Sequence, residues 1–100
     1  MTIQYYQLNG ILFSWDERKY ALNYKKHNVK FEEAAEVFFE NLSSVRADPD
    51  HSHYEERMII IGYSSQSRLL FVSFSDNEAI CIISARTATR REVKEYEEGY

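Results

Sequence analysis

Apolar residues recur at two spacings along this chain, and each change of period marks an element. The stretch ILFSW (11–15) is short, apolar and rich in strand formers, so it predicts a strand. Asp16 follows as a helix N-cap, and Glu17 suits the positive end of a helix dipole. Residues 17–27 hold no glycine, proline or β-branched side chain and predict a helix, with Asn28 as its left-handed C-cap and a turn opening at Val29. In FEEAAEVFFEN (31–41), Phe31, Ala34, Ala35 and Phe38 fall at i, i+3, i+4 and i+7 and predict a second helix. Its Glu32, Glu33, Glu36 and Glu40 fall largely on the opposite side.

Beyond residue 41 the period shortens to two. LSSVRA (42–47) predicts a short strand, and ADPDHSHYEE an exposed loop in which Pro49 keeps its predecessor out of the helical region. RMIIIGYS (57–64), RLLFVSFS (68–75) and AICIISA (79–85) predict three strands, joined by SSQS and DNE at lengths that suit antiparallel hairpins. Unbroken alternation in the last strand places Ile80, Ile82, Ser84 and Arg86 on one face. Thr89 and Glu92 then have the spacing of a capping box that opens a helix to about Glu98. The expected fold is α+β: a small antiparallel sheet with two N-terminal helices packed on it and a C-terminal helix. One domain spans 1–100, with 1–10 as an N-terminal extension that receives no element and 11–98 as the domain proper.

A chain of 100 residues with 44% hydrophobic side chains can bury one real core. A single cysteine, Cys81, excludes an intrachain disulfide and a cysteine-based zinc cluster and suits a reducing cytoplasm. No apolar run reaches the ~18 residues of a membrane helix, and MTIQYYQLNG lacks the pattern of a signal peptide. A cytoplasmic protein without membrane contact is therefore expected. The net charge is −4, yet Arg18, Lys19, Lys25, Lys26 and Lys30 fall in a stretch with no acidic residue. Arg86, Arg90 and Arg91 form a second basic group. A phosphate responds to such patches more than to the total.

The first patch has geometry as well as charge. Lys19, Asn23 and Lys26 lie at i, i+4 and i+7 on the predicted helix, and His27 lies four beyond Asn23. Charge, amide hydrogen bonds and a group titrating near neutrality are what a phosphodiester can use. The plain structural reading is a solvated face whose C-terminal cations complement the helix dipole. Arg57 and Arg86 lie at strand ends, with ion pairs to Glu55, Glu56 or Glu92 as their structural reading; Arg91–Glu95 and Lys94–Glu98 are ordinary helix pairs. DPDHSHYEE gathers Asp48, Asp50, His51, His53, Glu55 and Glu56, but on a loop that pre-organises nothing, so no metal is expected there. With glycine only at 10, 62 and 99, phosphate-cradling loops and hydrolase elbows are excluded.

One combination is more specific than any of its parts. It runs Trp15, Asp16, Lys19, Asn23, Lys26, His27, Val29, Phe31, Glu33 and Ala34, then Glu55 and Arg57 into Ile61 and Gly62. Ile82, Ile83, Ser84, Ala85, Arg86, Ala88 and Glu92 complete it. This pattern resembles the BrnT toxins of bacterial type II toxin–antitoxin systems, which have a RelE-like fold. The resemblance implies a ribonuclease that halts translation. It implies a BrnA-like ribbon-helix-helix antitoxin that neutralises the toxin and binds operator DNA on behalf of a heterotetramer. It also implies metal-free chemistry with no cofactor: His27, Lys26, Arg57 and Arg86 catalytic, and Lys19, Asn23, Ser84 and Arg90 binding RNA.

The chain departs from that pattern in three ways. Cys81 stands where the family commonly has arginine, about ten residues precede the usual start, and the overall charge is acidic. These departures keep a second expectation open, a non-catalytic toxin-fold module acting as co-repressor with a DNA-binding antitoxin.

Overall fold

Asn9 and Gly10 both adopt positive φ, 49° and 82°, the demand of a two-residue hairpin turn of the type that matches strand twist. In the computed structural model, which describes residues 2–49 and 56–99, this turn joins β1 (Ile3–Leu8) to β2 (Ile11–Asp16). The N-terminal extension is thus an edge strand of the sheet, with Tyr6 and Leu8 packed against the core. The Asn-Gly pair was its sequence signal.

α1 (Glu17–His27) starts where the Asp16 carboxylate accepts the Arg18 backbone N–H at 2.8 Å. It stops at Asn28, whose left-handed backbone donates to the Tyr24 carbonyl at 2.8 Å. α2 (Phe31–Glu36) is shorter than its periodicity predicts, because Val37–Phe39 tightens into a 3₁₀ turn. That turn brings Phe38 and Phe39 edge-on to Phe13, at centroid distances of 5.3 and 6.3 Å. Strands β3 (Ser44–Ala47), β4 (Arg57–Tyr63), β5 (Leu69–Asp76) and β6 (Ile80–Thr87) follow, and α3 (Arg90–Glu97) closes the chain with the predicted capping box. Among the described residues no helix is long and apolar enough to cross a membrane. Asp50 to Glu55 fall outside the described residues, so the metal-free expectation for His51 and His53 is not addressed by the fold.

The sheet order is β1-β2-β6-β5-β4-β3. It is not wholly antiparallel as expected: β2 runs parallel to β6, since the chain crosses over through both helices and three strands before returning. Phe13, Trp15, Leu70, Val72, Phe74 and Ile82 face α1 and α2 to make the main core. Ile61, Leu69 and Phe71 form a smaller cluster on the other face, covered by Val93 and Tyr96 of α3.

Two expectations about facing need correction. Ser73 pairs with Ser84 but Phe74 pairs with Ile82, so β6 carries a bulge at Ile83. The extra residue flips the alternation: Ile82 and Ala85 face the core, while Ser84 and Arg86 point to the α3 side. Glu33, expected on the outer side of its helix, is buried. Its carboxylate accepts from Arg68 Nε at 2.9 Å, Arg68 Nη2 at 2.5 Å and Ser64 Oγ at 2.6 Å.

Gly62 is required for a different reason from Gly10. A Cβ there would meet Val37 Cγ1 at 3.0 Å and Ser43 Cβ at 3.1 Å, because the 3₁₀ turn and its exit cross directly over β4. Gly62→Ala should therefore destabilise by about 1–3 kcal/mol, the usual scale of overpacking, read as a lowered midpoint in urea with unchanged slope.

Candidate functional site

β2 accompanies β6 for only two residue pairs, Phe13 with Ile80 and Ser14 with Cys81, and then turns away into α1. The flank of β6 that β2 leaves is taken over by the helix. Asn23 donates from Nδ2 to the Ala85 carbonyl at 2.8 Å and accepts the Ala85 N–H on Oδ1 at 3.1 Å. A side-chain amide offers the donor and acceptor of a peptide group, so Asn23 substitutes for the missing strand. It is buried, and its amide is committed to the fold rather than turned to solvent.

With Asn23 pinned, the stripe seen in the sequence lies along β6. At its start Lys19 reaches the level of Cys81 and Ile83, where it lines a cleft of about 410 Å³ with Arg57, Ser75 and the acidic Glu56 and Asp76. At its end His27 comes within electrostatic reach of Arg86. Partial burial first, then the positive fields of Lys26 and Arg86, hold the His27 pKa below its ordinary 6.5. Its imidazole is thus neutral, and able to accept a proton, at physiological pH. Lys26 beside it is exposed, as is Arg90 at the start of α3.

Arg86 is the most firmly built member. Its Nη1 and Nη2 donate to the two Glu92 carboxylate oxygens at 2.8 and 2.9 Å, and its guanidinium lies 4.4 Å from the Phe71 ring centroid. The Glu92 carboxylate also accepts the Thr89 N–H at 2.9 Å. The ion pair drives the Glu92 carboxyl down to about 2. The structural reading of Arg86 is therefore realised, and the same contacts fix where its charge is displayed.

Arg57 shares this face but not this cluster. It pairs with Ser75 while Arg86 pairs with Phe71, four residues apart on β5 or roughly 13 Å. Between them runs a strip of small polar side chains: Ser75 beside Cys81, then Ser73 opposite Ser84. The residues foreseen from sequence thus form two centres on one open face, His27–Lys26–Arg86 and Lys19–Arg57. Sequence reasoning missed Phe71 and Arg46, whose guanidinium lies 5.7 Å from the same ring. Only the strand register could have shown that Phe71 lies opposite Arg86. Among the described residues no group of three His, Cys, Asp or Glu is placed to hold a metal.

Such a face can bind a phosphodiester strand at two cationic points and present a neutral imidazole beside one of them. The family model for BrnT, the ribonuclease toxin of type II toxin–antitoxin systems, matches residues 15–92. Among solved structures, the Brucella abortus ribonuclease toxin BrnT is 26% identical, with a TM-score of 0.57 over 76% of this chain and 94% of its own. A comparison with curated proteins gave no match. The chain belongs to the BrnT family of type II toxin–antitoxin systems.

Proposed function

We propose that this protein is a metal-independent endoribonuclease that cleaves RNA through its 2′-hydroxyl and so inhibits translation. The observation that carries the reading is the placement of His27, at the end of α1, within electrostatic reach of the Arg86 guanidinium that Glu92 and Phe71 hold fixed. His27 takes the proton of the attacking 2′-hydroxyl as its oxygen bonds to phosphorus; the bond from phosphorus to the 5′-oxygen then breaks, and that oxygen takes a proton from water. Arg86 and Lys26 stabilise the charge that develops on the phosphorane, and Lys19 and Arg57 hold the strand further along the face. Ser84 and Arg90 border this path, while Asn23 acts by positioning α1. We propose further that the fold is RelE-like, a reading supported by the six-stranded, mostly antiparallel sheet with its three helices.

Membership of a toxin–antitoxin family implies an antitoxin partner. We assign that role to a BrnA-like ribbon-helix-helix protein that neutralises the toxin in a heterotetramer and alone contacts operator DNA, both acting in the cytoplasm. One observation favours the second reading, a non-catalytic co-repressor module: both Nη atoms of Arg86 are already bonded to Glu92.

Incubation of the purified chain with single-stranded RNA in EDTA separates the two. Cleavage should proceed and leave 2′,3′-cyclic phosphate ends. Because the His27 pKa is depressed, the rate should rise with pH and reach half its maximum below 6.5. Intact RNA across the pH range, together with normal growth on induced expression, would assign the co-repressor role instead.

A further inference from the structure

The strand register carries the open face further than the family pattern does. Arg57 pairs with Ser75, Ser75 with Cys81, Cys81 with Ser14, and Ser14 with Tyr5. Partners in register point to the same side of a sheet, so these five residues form one row across five strands. Its far end is supplied by β1, which precedes the family match at residue 15. At that end Tyr5 is 65% exposed, flanked on the same side by Ile3 and Leu12, themselves 42% and 39% exposed. Four strand spacings put Tyr5 roughly 19 Å from Arg57, within the reach of a short single strand.

We infer that the N-terminal hairpin is an added RNA subsite in which the Tyr5 ring stacks on a base of the strand held by Arg57 and Lys19. The inference rests on the ribonuclease reading of this face. An exposed aromatic ring on a sheet whose other end carries cations is the combination that single-stranded RNA uses, bases on rings and phosphates on guanidinium and ammonium groups. The first fifteen residues contain no charged side chain. This subsite therefore contributes stacking without phosphate contact. The carboxylates along this row are engaged or lie at its cationic end: Asp16, opposite Ile3, caps α1, Glu17 accepts from Gln4, and Glu56 and Asp76 line the cleft beside Arg57.

That division of labour has a distinct signature. The probe is a fluorescein-labelled 2′-O-methyl RNA of about twelve nucleotides, which binds but cannot be cleaved through its 2′-position. It is titrated with the full chain at several salt concentrations. Tyr5→Thr keeps a strand-forming residue but removes the ring, and should weaken binding about 5- to 150-fold with an unchanged salt slope. Tyr5→Trp should restore affinity. Arg57→Ala should instead flatten the salt slope by about one unit. Circular dichroism and sedimentation velocity on the same samples confirm folding and assembly state.

Wild-type affinity in Tyr5→Thr, with Arg57→Ala impaired, overturns the subsite and leaves the ribonuclease reading intact. A loss of self-association in place of a loss of affinity also overturns it and assigns the hairpin to a second copy of the chain. A wild-type chain that does not bind the probe overturns the ribonuclease reading and the subsite together.

Discussion

Replacing His27 by alanine should lower single-turnover RNA cleavage about 10²- to 10⁴-fold, the usual scale for losing a general acid or base. The geometry makes the attribution clean. His27 ends α1, and its depressed pKa leaves it largely uncharged at neutral pH, so it contributes little as a dipole-complementing cation. Loss of even a full C-terminal charge costs only about 0.3–1 kcal/mol of stability. A large fall in cleavage with an almost unchanged melting temperature is the expected pair of results. Arg86→Lys is the informative companion, because it keeps the charge but loses the fork that fits Glu92 and the flat contact with Phe71. It should cleave poorly with the pH profile of the wild type, whereas a residual activity of His27→Ala should lose the acid limb. A folded His27→Ala protein that cleaves at the wild-type rate would remove His27 from the chemistry.

What the sequence made legible was local. The Asp16 and Asn28 caps, the Thr89–Glu92 capping box and the hairpins around SSQS and DNE each depend on residues within a few positions of one another. The Asn9-Gly10 turn is equally local and was readable, yet β1 before it was assigned no element. The features that escaped are pairings across the chain. The bulge at Ile83 exists only because β5 sets the register of β6, so alternation within β6 alone put Arg86 on the wrong face. Asn23 read as one member of a polar stripe until the departure of β2 left Ala85 for it to satisfy. Glu33 read as solvated because its partner lies in a turn far along the sequence. The candidate site shows the same division. Helical spacing aligned Lys19, Asn23 and His27, but only the sheet reveals that Arg57 and Arg86 serve separate ends of one face.

That buried glutamate is where the fold is most vulnerable. Arg68→Ala should destabilise the protein by about 3 kcal/mol, the lower end of the range for removing one partner of a buried ion pair. The lower end is appropriate because the Arg68 side chain is 29% exposed, although that of Glu33 is only 4% exposed. The loss also releases the Asn28 carbonyl, which Arg68 Nη2 bonds at 3.1 Å at the junction between α1 and α2. For a domain of this size that loss corresponds to a melting temperature lower by about 12–24 °C. Its pH dependence identifies the mechanism. In the wild type, hydrogen bonds from Arg68 outweigh burial and hold the Glu33 carboxyl below its ordinary 4.5. The stability so gained is present above that value and is lost as pH falls through the lower, folded one. Without Arg68, burial outweighs the remaining hydrogen bond from Ser64 and raises the Glu33 carboxyl, so protonation then favours the folded state and acid becomes stabilising at this position. The gap between wild type and variant should therefore be widest at neutral pH and narrow below about 4.5. A gap independent of pH would mean that Arg68 contributes packing alone, and that the buried charge of Glu33 is compensated elsewhere.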